Sequence, residues 1–321
     1  MAGTEVSAAA PVSAAPPVRR RSGRTRLQAF YPLLIGLPAI AIVLVAQGYP
    51  LVRQFVMSFQ EFGLAQQFGQ DAPWVWFDNY TRVLSDADFW AVFARSIVFC
   101  AVVAGLTMVI GVLTAWLLTG VRTWARVAVQ SAMLLAWATP HLSSLTVWQW
   151  LFNPSSGVVN AVLVGLGLEG FDNHAWLLDP LSFFVIAGAV IAWGSVPLVL
   201  FLTYAAMTQV DTSLYEAAQL DGAGPLQRFR HITIPGIATV LMLVATLQII
   251  WDLRVFTQIS VLQTAGGISS ETNVLGTYVY QIGLGQGEYG QGAAVATIML
   301  LLTLLLTGLY VRQLVRQGDD A

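Results

Sequence analysis

The chain contains no lysine; all fifteen of its basic residues are arginine. That absence excludes an ordinary P-loop, whose G-x-x-x-x-G-K signature places the lysine amine on nucleotide phosphates. It equally excludes Schiff-base chemistry, which needs the same amine. Cysteine is almost absent too. The single Cys100 lies inside an apolar run, so neither a disulfide framework nor a thiolate metal site can be built. The three histidines, His141, His174 and His231, are far apart in sequence and show no metal-ligand spacing, so no metal is expected. Charge is scarce as well. Only 10% of the 321 residues are charged, against about a quarter in a soluble domain, and this argues against a soluble enzyme. The net charge of −2 is nearly balanced, so nucleic acid is not implied as a partner.

What the chain has instead is apolar sequence: 56% of residues are hydrophobic and the mean hydropathy is +0.69. Six apolar segments can be read, at about 31–57, 91–119, 127–151, 181–206, 235–262 and 293–311. Each is long enough to cross ~30 Å of hydrocarbon at ~1.5 Å per residue. Backbone polar groups in lipid must be satisfied within the chain, which leaves helices or a closed barrel. Continuous apolar runs without two-residue alternation select helices. The expected fold is therefore an all-α, six-span integral membrane protein with bilayer lipid as its solvent.

Arginine placement orients the spans. Arginines fall in the N-terminal tail, at Arg122 and Arg126, at Arg228 and Arg230, and at Arg312 and Arg316. The alternate connections carry Glu61, Asp71, Asp78, Asp86 and Asp88, then Glu169, Asp172 and Asp179, then Glu271 and Glu288. Only Arg82 breaks the acidic side clearly, while Arg53 and Arg95 lie near span ends and can snorkel. Both termini are expected in the cytoplasm. Residues 1–28 are expected to be a disordered tail that ends in the Arg19–Arg26 cluster, and 316–321 a short C-terminal tail. The cluster also resembles the basic region of a signal peptide. The following apolar run is too long for one and lacks a small-x-small cleavage site, so an uncleaved first span is the better reading.

No catalytic constellation is visible. GLGLEG at 165–170 formally matches G-x-G-x-x-G but follows no strand, so it reads as a turn or span end. The carboxylates are scattered over loops and never pair in an apolar setting, as acid–base work requires.

The most informative stretch is 211–235, DTSLYEAAQLDGAGPLQRFRHITIP. Ser213 and Glu216 fit a capping box that would open a short helix. Ala217, Ala218 and Leu220 continue it, and Gly222 is placed to end it in a left-handed turn. Pro225 suits the first turn of a second helix, on which Leu226, Phe229 and Ile232 form an apolar face with Arg228 and Arg230 off it. Pro235 marks entry to the next span. The outcome is a helix-turn-helix along the cytoplasmic surface.

Glu216, Ala217, Ala218, Gly222, Ile232, Ile234 and Pro235 together match E-A-A-x3-G-x9-I-x-L-P, with Ile234 where leucine is usual. This resembles the cytoplasmic loop of permease subunits of ABC importers, and the fuller string EAAQLDGAGPLQRFRHITIP resembles the carbohydrate-uptake branch. The resemblance extends over about residues 30–315. Tyr49, Pro50, Ser58 and Phe59 are similar to the family's first-span pattern. Asn79, Tyr80, Asp88, Phe89 and Trp90 follow in order, then Phe152, Gly157, Asn160 and Leu163, then Trp193 and Pro197. One departure concerns FTQISVLQTAGGI, which keeps Thr264, Gly266 and Gly267 but has Ile268 for the usual proline. Gln258 or Thr257 then stands where the family has an aspartate.

The resemblance implies a permease domain over 29–315 in the cell membrane. It implies a second homologous permease, two ATPase subunits that bind Mg-ATP, and an extracytoplasmic binding protein that delivers the solute. Coupling to the ATPase falls to Glu216, Ala217, Ala218, Asp221 and Gly222. The chain itself would hold no cofactor. Polar groups inside spans are costly and mark candidate pathway residues: His141 and Ser144 after Pro140, Ser195 beside Pro197, Asp252, and Gln258. Asp252 and Arg254, two residues apart, share no helix face, and a helix–helix or interfacial ion pair is the plain alternative for them. Trp148 or Trp193 would offer an aromatic face to a sugar. A glycerol-phosphate or polyol permease is the runner-up. A secondary transporter would leave the loop without purpose, and a membrane-embedded transferase would need clustered catalytic residues.

Overall fold

Residues 36–319 are described in the computed structural model, with side chains as far as Arg312. The tail 1–28, its arginine cluster and residues 320–321 lie outside them. The chain falls into two compact units, Met1–Val52 and Arg53–Ala321, and the site discussed below lies wholly in the second.

The described chain is helical almost throughout, and its one extended pairing is an isolated bridge between Gln60 and Trp74. Among the described residues, five helical runs are long and apolar enough to cross a membrane: Gly36–Met57, Ala87–Gly120, Pro180–Met207, Ala238–Thr264 and Tyr289–Arg312. The first, α1, contains a π-turn at Leu44–Gly48. Pro50 has no N–H to send back to Ala46, and the turn widens just before it.

The α-helices of six or more residues that begin in the second unit follow in order. They are α2 (Asp78–Ser85), α3 (Ala87–Gly120), α4 (Thr123–Ala138), α5 (His141–Leu151) and α6 (Val158–Gly165). Then come α7 (Pro180–Met207), α8 (Thr212–Leu220), α9 (Ala238–Leu253), α10 (Thr257–Thr264), α11 (Leu275–Tyr280) and α12 (Tyr289–Asp319). The last runs through residue 315 without a break, so no structural boundary marks the expected C-terminal tail.

The third apolar segment, expected as one span over 127–151, is divided. Thr139 (ψ 127°) and Pro140 (ψ 131°) are extended between α4 and α5. Proline lacks the donor that would continue the ladder and clashes with a helical residue before it. The resulting pieces hold 16 and 11 residues, each too short to cross ~30 Å alone. The fifth segment is divided as well. Between α9 and α10, Phe256 adopts φ −132°, ψ −60°.

The long helices α3 and α7 pack along much of their length. Lipid gives helices no hydrophobic drive to associate, so close packing must supply it. Small residues permit this. A Cβ placed on Gly111 would lie 2.6 Å from Val199 Cβ, and one on Gly188 would lie 3.2 Å from Val103 Cγ2. One buried cluster joins α3, α5, α7 and α10 through Phe99, Leu145, Phe183 and Ile259. A second joins α3, α9, α11 and α12 through Phe89, Leu253, Leu275 and Val295. The third, around Ala115, Met207 and Ile237, anchors the 211–235 hairpin, where Phe229 packs against Trp116 with centroids 4.6 Å apart and the rings tilted by 34°.

The connection after α10 is fixed to α3 by two hydrogen bonds. Arg95 Nη1 donates to the Asn273 carbonyl at 3.0 Å, and the Leu275 N–H donates to Ser96 Oγ at 2.8 Å. A Cβ on Gly276 would come within 2.5 Å of the Val255 carbonyl. Gly276 therefore seats this connection directly on the break between α9 and α10.

Candidate functional site

A cavity of about 410 Å³ opens between α4–α5, α7 and α9–α10. That volume falls within the ~300–1,000 Å³ of ordinary small-molecule sites. Both helix breaks border it. From the α4–α5 break come Trp137, His141 and Ser144; the continuous α7 contributes Trp193, Gly194 and Ser195. The α9–α10 break contributes Asp252, Arg254, Phe256, Thr257 and Gln258. All five pathway candidates named from sequence, His141, Ser144, Ser195, Asp252 and Gln258, therefore line one space although they lie on three separate parts of the chain.

Their environments differ. His141 is exposed at the first turn of α5, while Ser144 is buried and donates back to the His141 carbonyl at 2.8 Å. Ser195 and Gln258 are half-buried. Asp252 is only 3% exposed. Both its carboxylate oxygens accept from Gln248 Nε2, at 2.9 and 3.0 Å, one turn earlier on α9. Arg254, in the break, is exposed.

Broken helices present backbone dipoles and unpaired backbone groups to the space between them. Such backbone is tolerated at membrane depth only where it is buried in protein or lines a cavity. Here α5 and α10 both begin at the cavity, so two helix N-termini converge on it. The aromatic walls are Trp137, Trp193, Trp251 and Phe256. Of the two tryptophans named from sequence, Trp193 lines the cavity, and Trp148 lies behind it, edge-on to Trp193 at 6.5 Å and stacked on Phe152 at 6.0 Å. Trp137 and Trp251 were missed. Signals existed for both: Trp137 stands one turn before Pro140, and Trp251 adjoins Asp252.

The second candidate region is the 211–235 hairpin. Gly222 has φ +80°. Its N–H reaches the Gln219 carbonyl at 3.0 Å, and the Ala223 N–H reaches the Ala218 carbonyl at 2.8 Å. These two bonds form a Schellman ending, which favours glycine at the left-handed position. Pro225 opens the next short helix, Pro225–Arg228, which widens into a π-turn at Phe229–Thr233. Tyr215 Oη and Thr233 Oγ1 lie 2.9 Å apart and tie the two arms together.

The expected capping box is corrected. The cap is Asp211, whose Oδ1 accepts from the Ser213 N–H at 2.9 Å. This bond holds the exposed Asp211 carboxyl below the usual carboxylate range. Aspartate is among the best N-caps, and starting the helix at Thr212 places Glu216 five residues in. From there it cannot reach the cap. The Glu216 side chain is exposed and has no hydrogen-bond partner among the described residues. Ala217, Asp221 and Gly222 are also exposed, Ala218 is half-buried, and Leu220 is 90% exposed at the tip. Ala218, Asp221, Gly222, Arg228 and His231 line a concave recess of about 410 Å³ on this hairpin.

The model of the binding-protein-dependent transport system inner membrane component family matches residues 107–317. That stretch holds α4 to α11, both helix breaks and the hairpin. The chain is 39% identical over 301 residues to the diacetylchitobiose uptake system permease protein DasB of Streptomyces coelicolor, covering 94% of this chain and 92% of that one. It is 31% identical over 281 residues to the trehalose/maltose transport system permease protein MalF of Thermococcus litoralis, covering 87% and 92%. Among solved structures, a chain of a bacterial alginate ABC transporter, in complex with an alginate pentasaccharide-bound periplasmic protein, aligns with a TM-score of 0.75. Its identity is 23%, over 88% of this chain and 94% of that one. This chain belongs to the binding-protein-dependent transport system inner membrane components. It is a multi-pass membrane permease.

Proposed function

We propose that this chain is one permease of an ATP-driven importer for a neutral sugar or short oligosaccharide, and that the cavity between the broken helices is its translocation path. The observation that carries the reading is the convergence of His141, Ser144, Ser195, Asp252 and Gln258 on one cavity walled by tryptophans. Hydroxyl, amide and carboxylate groups beside aromatic faces are what a sugar's hydroxyls and apolar ring faces require. The relatives named for diacetylchitobiose and for trehalose/maltose favour the same substrate class.

On this reading the chain crosses the membrane six times, with the divided α4–α5 as the third crossing and both termini cytoplasmic, as the arginine asymmetry favours. A second permease completes the path, an extracytoplasmic binding protein delivers the solute, and two ATPase subunits supply Mg-ATP hydrolysis. Glu216 and Leu220 on α8 face outward without partners among the described residues. They suit a groove on an ATPase subunit, with Ala217, Ala218, Asp221 and Gly222 shaping the contact. A glycerol-phosphate or polyol substrate is the second reading, and the observation that favours it is Arg254 at the cavity.

The test is uptake into proteoliposomes holding the two permeases, the ATPase and the binding protein. Uptake of neutral sugars that requires both ATP and binding protein supports the reading. ATP-independent uptake driven by an ion gradient contradicts it, and exclusive uptake of phosphorylated polyols favours the second.

A further inference from the structure

A second cavity, of about 510 Å³, lies further along the same two half-helices. Gln149 and Trp150 bring α5 to it, with Asn153 just past its end; Ala265 and Gly266 follow the end of α10; Trp176 comes from the loop before α7. Gln149 Nε2 donates to the Val261 carbonyl of α10 at 2.9 Å and so laces α5 to α10 beside this second cavity. Ser144 in the first cavity and Gln149 in the second are five residues apart, and Gln258 and Ala265 seven, or roughly 7 to 11 Å of helix rise.

The two cavities have opposite electrostatic character. The first receives the N-termini of α5 and α10 and holds Asp252 and Arg254. The second receives the C-terminal ends of both helices, Leu151 with its cap Phe152 and Thr264 with its cap Ala265. No Asp, Glu or Arg lines it among the described residues. Helix C-termini present carbonyl oxygens and a partial negative charge, so they attract hydroxyl and amide N–H donors and repel anions. Asn153 Oδ1 is occupied by the Ser155 and Ser156 N–H groups at 3.1 Å, which leaves its Nδ2 as a donor. Gln149 keeps its Oε1 as an acceptor.

One aromatic wall is held in place. Trp176 Nε1 donates to Asn160 Oδ1 at 2.6 Å, and its ring stacks on Phe171 with centroids 5.3 Å apart. Trp150 is 52% exposed and presents its ring. A fixed aromatic surface, one free amide donor, one free amide acceptor and the partial negative charge of two helix ends make a site for an uncharged, hydroxyl-bearing ring.

We propose that this second cavity is a sugar subsite. It takes one unit of a neutral chain whose next unit occupies the cavity bordered by Asp252, and its electrostatics reject acidic sugars. The proposal rests on the sugar-importer reading and deepens it: the permease is built for a short neutral chain rather than for a monosaccharide or a uronate.

Saturation-transfer NMR titration of the complete purified transporter, without binding protein, tests this. The probes are glucose and N-acetylglucosamine as single units, maltotriose and diacetylchitobiose as neutral chains, and an alginate disaccharide as the acidic chain. The wild type should bind at least one neutral chain more tightly than its single unit and bind the acidic chain least. Trp150→Ala should weaken chain binding about tenfold, the scale of one lost aromatic contact, while single-unit binding holds. Trp150→Phe should restore the chain advantage. Ala265→Arg, at a helix end that accepts a cation, should bring in the acidic chain. Unchanged chain binding in Trp150→Ala, or equal weakening of chains and single units, overturns the second subsite. Failure of the wild type to bind any neutral probe counts against the sugar-importer reading itself, and the subsite falls with it.

Discussion

Gln248 Nε2 bonds both carboxylate oxygens of Asp252, so the one aspartate deep in α9 is held by an amide rather than by a cation. The pair is almost wholly buried, at 1% and 3% exposure, yet Asp252 borders the cavity. Removing Gln248 alone would strand a buried carboxylate, at a cost of about 1–3 kcal/mol or more. Gln248→Leu should therefore lower the unfolding midpoint of the purified complex, and Gln248→Leu with Asp252→Leu should recover much of it. Asp252→Asn keeps an acceptor for Gln248. It should leave the midpoint near wild type while changing the KM for solute. Scanning calorimetry with uptake kinetics on the same preparations checks both.

The contact of Gly111 with Val199 sets how closely α3 and α7 approach. A leucine at 111 would drive its side chain into Val199, with an overpacking cost of about 1–3 kcal/mol. Gly111→Leu should reduce the yield of folded protein, measured by size-exclusion chromatography, and Val199→Ala in the same chain should restore part of it.

Pro140 separates α4 from α5. Pro140→Ala restores the missing donor and releases Thr139 to the helical region, so a continuous helix over 123–151 is expected to shift His141 and narrow the cavity. Uptake should fall. A cysteine placed at 141 should react more slowly with a water-soluble maleimide in the Pro140→Ala chain than in the parent.

Because Asp211 and not Glu216 caps α8, the two substitutions separate. Glu216→Ala should leave the helix intact and weaken docking or coupling of the ATPase, seen as reduced binding-protein-stimulated hydrolysis with normal permease yield. Asp211→Ala should fray the helix start. The Asp211 carboxyl sits below its unfolded value, so its cap is present above the ordinary carboxylate range and is lost only as pH falls through the depressed value. Coupling should therefore hold across neutral pH. Gly222→Val forces a β-branched side chain to φ +80°, a strain of about 1–3 kcal/mol, and should weaken coupling without loss of insertion. Co-purification of the ATPase checks all three.

Much of this was legible in the sequence. Continuous apolar runs predict the spans because lipid forbids unpaired backbone, and Gly222 and Pro225 announce the hairpin by their conformational limits. The polar residues Ser144, Ser195, Asp252 and Gln258 stood out against apolar helices for the same reason. The break between α9 and α10 was not legible. Residues 254–256, Arg-Val-Phe, contain neither glycine nor proline. The deformation coincides with a contact more than twenty residues away, where Gly276 lets a second segment press on the Val255 carbonyl. The cap at Asp211 was misassigned to Ser213 because both residues suit that role, and only the helix start decides between them. Trp137 and Trp251 were passed over because tryptophan in a span reads first as an interface or packing residue.

The central claim is that solute passes through the cavity bordered by Ser195. Replacing Ser195 with tryptophan fills that space from the continuous helix α7, far in sequence from the hairpin. The decisive measurement is uptake together with binding-protein-stimulated ATP hydrolysis, by the complete transporter carrying Ser195→Trp in proteoliposomes. The account predicts that hydrolysis persists while uptake is lost. Uptake at the wild-type rate, from a transporter assembled to the same level, would contradict it.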